Sequence, residues 1–220
     1  MPSIKRVAVV LSGCGHKDGA EITESVSTLI ALSEVGAEYQ VFAPDISFKV
    51  NDPITSQPTL ETRHLLKEAA RIARGDIRPL QELKAKDFYA VAFPGGFGVA
   101  LNLCNWAEKG ANCQVNPEAE RVINEFYMAE KPIAAICIAP ALIARVLGAE
   151  GVSLTIGMDV ETAAQISKTG AHHENCAVDD FVTDRDHRIV STPAYMYGDA
   201  KPFEVFTGVR KAIRELVLMA

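Results

Sequence analysis

Lys131-Pro-Ile-Ala-Ala-Ile-Cys137-Ile-Ala-Pro-Ala-Leu142 is the stretch from which the fold of this chain can be inferred. Residues 133–136 form a short apolar run typical of a buried strand. Pro140 suits the first turn of a helix, where a missing N–H costs no intrahelical hydrogen bond. The pattern predicts a sharp strand-to-helix turn with Cys137 at its tip. Because a thiol there feels the positive end of the helix dipole, which favours thiolate, we interpret Cys137 as a nucleophile rather than a buried core cysteine.

The composition indicates an ordinary globular protein. The 220 residues are 48% hydrophobic and 23% charged with a net charge of −6, which fits one α/β domain spanning residues 1–220. No basic patch favours a nucleic-acid partner, and no apolar stretch is long enough to cross a membrane. The five cysteines lack a disulfide framework, which points to a reducing compartment. The N-terminus runs directly into a strand and leaves no room for a targeting peptide, so we expect a cytoplasmic protein.

Apolar strand patterns alternate with amphipathic helical patterns along the whole chain. This alternation predicts an α/β fold with a doubly wound, mostly parallel sheet, helices on both faces and a β-hairpin near the C-terminus. The stretch 46–58 reads as a surface loop with a short hairpin. The expected strands are 7–11, 39–43, 89–93, 133–136 and 154–156, the hairpin is 177–192, and the expected helices are 20–35, 61–74, 117–129, 160–168 and 202–219.

Functional groups in such sheets collect at the carboxyl ends of the strands. Gly95 and Gly96 follow the third strand and would let backbone N–H groups approach a reacting carbonyl oxygen. The N–H of Ile138, directly after the nucleophile, would be a further donor. Read alone, the two glycines could simply form a turn, but beside the Cys137 turn they indicate an oxyanion hole.

Glu21 lies in the first turn of the first predicted helix. The helix dipole alone could explain a carboxylate there. The loop after the first strand, however, faces the same cleft as Cys137, so a shielded Glu21 could hold a proton and serve the thiol as acid and base.

Three other patterns suggest different chemistry and are weaker. The glycine loop 13–19 has the wrong spacing for a dinucleotide fingerprint. Tyr197 and Lys201 are separated as in a reductase pair, but Gly198 and Pro202 argue against the helix that would align them. The segment 172–176 (His-His-Glu-Asn-Cys) resembles a metal-ligand run, yet adjacent histidines on a strand point to opposite faces. We therefore expect neither a metal nor a cofactor.

The combined motifs resemble the class I glutamine-amidotransferase-like superfamily, in its protein-deglycase and PfpI branch, and within it the ElbB-type proteins linked to isoprenoid biosynthesis. The resemblance covers nearly the whole chain. The segments that carry it are 11–15, 18–22, 61–63, 73–80, 94–98, 137–140, 154–157 and 191–196. It implies a flavodoxin-like fold, Cys137 as nucleophile with Glu21 as its partner, a homodimer, and a glyoxalase-type activity without cofactor.

One departure from the family pattern concerns the catalytic histidine. Relatives that have it carry it after the strand that follows the nucleophile's helix, where this chain has Gly157 and Met158. Glutaminases place a His/Glu pair near the last strand, and the segment around Pro193 contains neither residue. His16, in the first loop, is the other histidine that could approach the cleft, although the sequence favours a solvent-exposed loop position for it. We take His16, Gly157 and Pro193 as candidate cleft residues.

These observations favour a slow, cofactor-independent glyoxalase-like enzyme. Its substrates would be small α-oxoaldehydes such as glyoxal and methylglyoxal, converted to hydroxy acids through a hemithioacetal on Cys137. Two alternatives remain: a redox-responsive or partner-binding protein without catalysis, and an amidotransferase-like hydrolase completed by a partner.

Overall fold

A computed structural model describes residues 4–220. Residues 1–3 lie outside that range. The expectation that no targeting peptide is present concerns these first residues. The strands are β1 (Arg6–Val10), β2 (Glu38–Ala43), β3 (Ser47–Asn51), β4 (Pro58–His64), β5 (Ile77–Pro79), β6 (Ala90–Phe93), β7 (Ile133–Ile136), β8 (Ser153–Leu154), β9 (His172–His173), β10 (Val182–Asp184) and β11 (Ile189–Thr192). The α-helices are α1 (Ile22–Glu34), α2 (Leu65–Ile72), α3 (Trp106–Lys109), α4 (Pro117–Met128), α5 (Ala139–Leu147), α6 (Val160–Ser167) and α7 (Pro202–Met219).

The central sheet has the order β10-β11-β7-β6-β1-β2-β5. All its neighbouring strands are parallel except the edge strand β10, which is antiparallel to β11 and forms the expected hairpin with it. The flavodoxin-like α/β architecture expected from the alternating pattern is therefore confirmed.

Helices cover both faces of this sheet because its central strands are apolar throughout. In β1, Val7 and Val9 pack with residues of α1 and α7, whereas Ala8 and Val10 pack with residues of α4 and α5. Successive side chains of a strand point to opposite faces, so a continuous apolar run is what a sheet covered on both sides requires. The carboxyl ends of β1, β6 and β7, which are neighbours in the sheet, meet at one edge.

Two local expectations differ from the structure. Residues 58–64 form β4, antiparallel to β3, so the hairpin extends into the segment expected to begin the second helix, and α2 starts only at Leu65. Backbone pairing with β3 overrides the weak helical pattern of residues 61–64. In α1, the helical spacing of Ile22, Val26 and Ile30 predicts an apolar face packed on the sheet, but these residues are 48%, 39% and 49% exposed.

Candidate active site

Cys137 lies at the end of β7, directly before α5, as the sequence predicts. Its backbone has φ = 63°, a left-handed conformation that is strained for a residue with a side chain. The Cys137 N–H donates to the Thr192 carbonyl oxygen at 2.9 Å, which ties the turn to β11. The residue is only 7% exposed, and it borders a cavity. The turn therefore presents the almost fully buried thiol to that cavity.

The carboxyl group beside this thiol belongs to Glu24. Its side chain hydrogen-bonds with the Cys137 side chain. Its two oxygens also accept backbone hydrogen bonds, Oε2 from the Gly95 N–H at 3.0 Å and Oε1 from the Tyr195 N–H at 3.2 Å. Glu24 is fully buried. Three elements of the fold therefore fix the carboxyl group against the sulfur.

Glu21, expected as the partner of Cys137, has a different position. It is the N-cap of α1, and its Oε2 accepts a 2.7 Å hydrogen bond from the Glu24 N–H. Its own N–H donates to the Gly95 carbonyl oxygen at 2.9 Å, and its side chain lines the cavity. The helix begins two residues later than expected, so Glu24, at the third helical position, is the residue directed at the thiol. The assignment of Glu21 as the direct partner is corrected to Glu24.

The backbone N–H groups around the sulfur come from Gly96 and Ile138, both of which hydrogen-bond to Cys137. Gly96 has φ = 95°, and a Cβ at this position would collide with the backbone of residues 19–21, so only glycine fits. Gly95 was expected to contribute a third donor. Its N–H is instead held by Glu24, so Gly95 positions the acid and is not available to a reacting oxygen.

Burial determines the protonation of this pair. It raises the pKa of the Glu24 carboxyl from its ordinary 4.5 to about 8, and the nearby charge of Glu21 adds to the rise. Burial also raises the pKa of the Cys137 thiol well above 9.0, an ionised Glu24 would raise it further, and the N–H groups of Gly96 and Ile138 oppose the rise. At neutral pH the pair therefore holds both protons. The helix-dipole argument for a thiolate is outweighed by the loss of solvent.

The cavity above the sulfur has a volume of about 530 Å³. We call Gly96, Cys137 and Ile138, with Glu24 beneath them, the floor. We call the ionisable side chains at the sides, Glu21, Glu108, Glu161 and His16, the charged wall. Residues that supply most of the remaining lining are Phe97, Ala100, Trp106, Ala107, Gly110, Thr162, Gln165, Tyr195 and Met196.

Of the three candidate cleft residues, the structure brings only His16 to the cavity. Gly157 and Pro193 pack against each other and against Tyr197: a Cβ on Gly157 would lie 3.2 Å from Pro193 Cβ and 2.9 Å from Tyr197 Cε2. Gly157 misses the cavity because it follows β8, which pairs with β9 in a separate two-stranded sheet. Tyr197 donates its hydroxyl hydrogen to the Cys176 carbonyl oxygen at 2.7 Å, which gives it a packing role.

The described residues contain no group of three or more His, Cys, Asp or Glu side chains that could hold a metal ion. Within residues 4–220, no helix combines the length and apolar character needed to cross a membrane. His173, part of the run that resembles metal ligands, accepts a 3.3 Å hydrogen bond from the Ile156 N–H through Nε2.

Glu24 is the residue beside the Cys137 thiol that the sequence did not predict. A signal was present: Glu24, Thr28 and Ala31 lie on one face of α1, and all three are buried. A carboxylate on the same helix face as small residues that pack on the sheet needs a hydrogen-bonding partner, because burying an unpaired charge costs folding free energy. The apolar residues Val26 and Ile30, which are also spaced as a helix face, predict a different core face and conceal that signal.

Comparison with known proteins found no matching family model. Among curated proteins, the chain is 44% identical to the human mitochondrial glutamine amidotransferase-like class 1 domain-containing protein 3, over 96% of this chain and 82% of that protein. It is 45% identical to the mitochondrial ES1 protein homolog of Rattus norvegicus, over 87% of this chain and 75% of that protein.

Solved structures show the same fold. The crystal structure of an isoprenoid biosynthesis protein with an amidotransferase-like domain from Ehrlichia chaffeensis superposes with a TM-score of 0.91 at 34% identity, covering 98% of this chain and 99% of that one. Glyoxalase III from Candida albicans has a TM-score of 0.62 at 13% identity, covering 98% and 97%, which is a likeness of fold alone.

The names of the curated relatives contradict the expected cytoplasmic location, since the human and rat proteins and the ES1 protein of Danio rerio are all described as mitochondrial. The cysteine argument failed because reduced cysteines do not tell one reducing compartment from another. Identity above 40% across most of both chains, together with the shared amidotransferase-like fold, establishes the family. The chain belongs to the ES1 family of glutamine amidotransferase-like class 1 domain proteins.

Proposed function

We propose that this protein is a cofactor-independent glyoxalase-like enzyme that converts small α-oxoaldehydes to 2-hydroxy acids on Cys137. The observation that carries the proposal is the floor of the cavity, where one thiol hydrogen-bonds with the Glu24 carboxyl group and with the N–H groups of Gly96 and Ile138. A nucleophile, a proton carrier and two donors for a developing negative charge are the groups that addition to an aldehyde requires.

The first step is addition of the thiol to the aldehyde carbon. A carbon–sulfur bond forms, the carbonyl π bond breaks, and the oxygen receives a proton to give a hemithioacetal. Glu24 can accept the thiol proton on one oxygen and deliver its own proton from the other, because burial keeps it protonated at neutral pH with a pKa of about 8. The Gly96 and Ile138 N–H groups, which hold the sulfur before reaction, would stabilise the oxygen as charge develops.

The second step moves a proton from the former aldehyde carbon to the adjacent carbonyl group. Removal of the proton gives an enediol, and its return to the neighbouring carbon gives the thioester of a 2-hydroxy acid. One carbon is oxidised and its neighbour is reduced by the same two electrons, so no external electron acceptor is needed. In this proposal Glu24 takes the shuttle role first expected of Glu21.

The last step is hydrolysis of the thioester, in which water adds to the carbonyl carbon and the carbon–sulfur bond breaks. Glu21 lines the cavity, and burial raises the pKa of its carboxyl group, while the Glu24 N–H and His16 oppose that rise. These two side chains are the groups we propose to orient the water. His16 is exposed at the cavity mouth and does not hydrogen-bond with Cys137, so we expect slow hydrolysis.

The direct test measures D- and L-lactate formed from methylglyoxal, and glycolate formed from glyoxal, with no thiol cofactor added. We expect catalytic turnover by the wild type and none by Cys137→Ala. Loss of aldehyde without hydroxy acid, at equal rates in both proteins, would contradict the proposal, because it would reflect adduct formation on surface residues.

A second candidate function is redox sensing by the same sulfur. Three hydrogen-bond donors converge there, the Gly96 and Ile138 N–H groups and the protonated Glu24, and they could also hold a sulfinic acid. Intact mass after mild peroxide distinguishes the two: an added mass of two oxygens at Cys137, in a protein that does not turn over aldehydes, would favour the sensor. The third possibility, an amidotransferase-like hydrolase whose missing base is supplied by a partner, stays a prediction, and ammonia release from glutamine only in a reconstituted complex would support it.

The narrower assignment to ElbB-type proteins is likewise a proposal, supported by the similarity to the Ehrlichia protein. The homodimer remains a prediction as well. Ile22, Val26 and Ile30 form an exposed apolar stripe along α1 that a second copy of this chain would cover. Sedimentation of the wild type and of Val26→Glu tests it: we expect a dimer that the substitution dissociates, and a wild-type monomer at micromolar concentration would contradict it.

A further inference from the structure

The charged wall of the cavity has one predominant sign. Glu21, Glu108 and Glu161 line it, whereas no lining residue in the described part of the chain is Lys or Arg. None of the three carboxyl groups forms an ion pair within residues 4–220. Glu108 and Glu161 are exposed, one on α3 and the other in the first turn of α6, so they reach the cavity from different elements.

The cavity is also much larger than glyoxal. Its volume of about 530 Å³ lies within the range of roughly 300–1,000 Å³ that drug-sized ligands occupy. Phe97, Trp106 and Met196 give it an apolar surface between the floor and the charged wall. A ligand too small to contact this apolar surface gains little binding free energy from it, because the gain from burial scales with the apolar area removed from water.

We propose that the cavity selects α-oxoaldehydes that carry an apolar body and a cationic group, and that it repels anionic ones. This deepens the proposed function and rests on it. Carboxylates around a cleft raise the local concentration of cations and lower that of anions, because the surrounding protein focuses their field. A ligand carboxylate would normally be held by Arg or Lys, and the described lining offers neither. An ammonium or guanidinium group would be paired with Glu108 or Glu161, while the aldehyde reaches Cys137.

The charge preference can be measured without aldehyde turnover. The probes are two methanethiosulfonate reagents that transfer a thioalkyl group to a thiol by the same reaction. The transferred group ends in trimethylammonium in one reagent and in sulfonate in the other. The labelling rate of Cys137, read from its peptide by mass spectrometry, is divided by the rate of the same reagent with free 2-mercaptoethanol. We expect the cationic reagent to be favoured by about ten-fold at low ionic strength, and the preference to fall as salt screens the wall.

Variants identify the residues responsible. The double variant Glu108→Gln/Glu161→Gln should lose most of the preference, while Glu120→Gln, which alters an exposed carboxylate on α4 away from the cavity, should keep it. Equal normalised rates for the two reagents in the wild type would overturn the inference. So would a preference that survives in the double variant, or failure of both reagents to label Cys137.

A substrate series separates this inference from the proposed function. We expect kcat/KM for phenylglyoxal to exceed that for glyoxal, with a cationic arylglyoxal better than its carboxylated analogue. If turnover occurs without these preferences, the specificity inference fails and the proposed function stands. If labelling shows the charge preference but no aldehyde is converted, the proposed function fails, and the claim about aldehyde substrates fails with it.

Discussion

The floor and the charged wall of the cavity differ in how their groups are held. On the floor, Cys137 and Glu24 are almost completely buried, and hydrogen bonds from other elements fix both residues. On the wall, Glu108 and Glu161 are exposed and form no ion pair within residues 4–220. Burial raises the pKa of both floor groups, whereas the side chains of Glu108 and Glu161 stay in contact with solvent. The contrast agrees with the proposal that the floor carries the thiol chemistry, while Glu108 and Glu161 influence which molecules reach it.

The largest effect should come from removing the nucleophile of the floor. We expect Cys137→Ser to lower kcat/KM for methylglyoxal by at least about 10³-fold, because a hydroxyl with a far higher pKa replaces the thiol. Steady-state lactate formation measures it. Cys176→Ser, which changes another buried cysteine, is the control and should leave the rate unchanged. Activity within ten-fold of the wild type in Cys137→Ser would contradict the floor as the reaction site.

The next effect separates the two carboxylates at the start of α1. Glu24→Gln should lower kcat about 10²- to 10³-fold, because the amide cannot carry a proton between sulfur and oxygen. Glu21→Gln keeps an oxygen that can cap the helix, and it should cost less than about ten-fold. Comparing kcat for the two variants at one pH checks this order. The reverse order would restore Glu21 as the direct partner.

A third effect concerns stability rather than rate. The unfolded chain releases the Glu24 proton near the ordinary pKa of 4.5, but the folded protein keeps it up to about 8. Between these values the folded state binds more protons, so its stability must fall as pH rises. Relative to Glu24→Gln, we expect the wild type to lose roughly 2–4 kcal/mol of unfolding free energy from pH 5 to 8.

Urea unfolding at several pH values measures that loss. Only the slope with pH is compared, because the Gln amide cannot accept from both the Gly95 and Tyr195 N–H groups and so adds a constant penalty. Glu120→Gln should follow the wild-type slope. Parallel curves for the wild type and Glu24→Gln would mean that the buried carboxyl is ionised.

The smallest effect belongs to the wall. Replacing Glu108 alone with Gln should leave kcat for the neutral substrate methylglyoxal unchanged and alter its KM by no more than about three-fold, because one exposed charge is largely screened. Saturation kinetics at low and high salt test this. A large change in kcat would give Glu108 a part in the chemistry.

The sequence predicted the framework well because its strands are long apolar runs and its helices have clear ends. β7, α5 and the Cys137 turn follow directly from the apolar run, Pro140 and the small residues beside the cysteine. The Gly96 and Ile138 donors follow from the same local geometry. These features depend on residues close together in the chain.

The part that could not be predicted depends on which face of a helix packs on the sheet. The stripe of Ile22, Val26 and Ile30 has the period expected of a core face, but α1 turns it outward and buries Glu24 and Thr28 instead. Gly157 was misplaced for a similar reason, since β8 pairs with β9 outside the main sheet. In both cases tertiary packing decided between local patterns of equal quality.

The central claim is that Glu24 is the acid that exchanges a proton with Cys137. The pH dependence of Cys137 alkylation by iodoacetamide tests this claim most directly. The Glu24 charge raises the thiol pKa, so in Glu24→Gln the midpoint of the rate profile should move to lower pH, by about one unit or more, even though turnover falls. Glu21→Gln should keep the wild-type midpoint. A midpoint that moves in Glu21→Gln and stays fixed in Glu24→Gln would contradict the account.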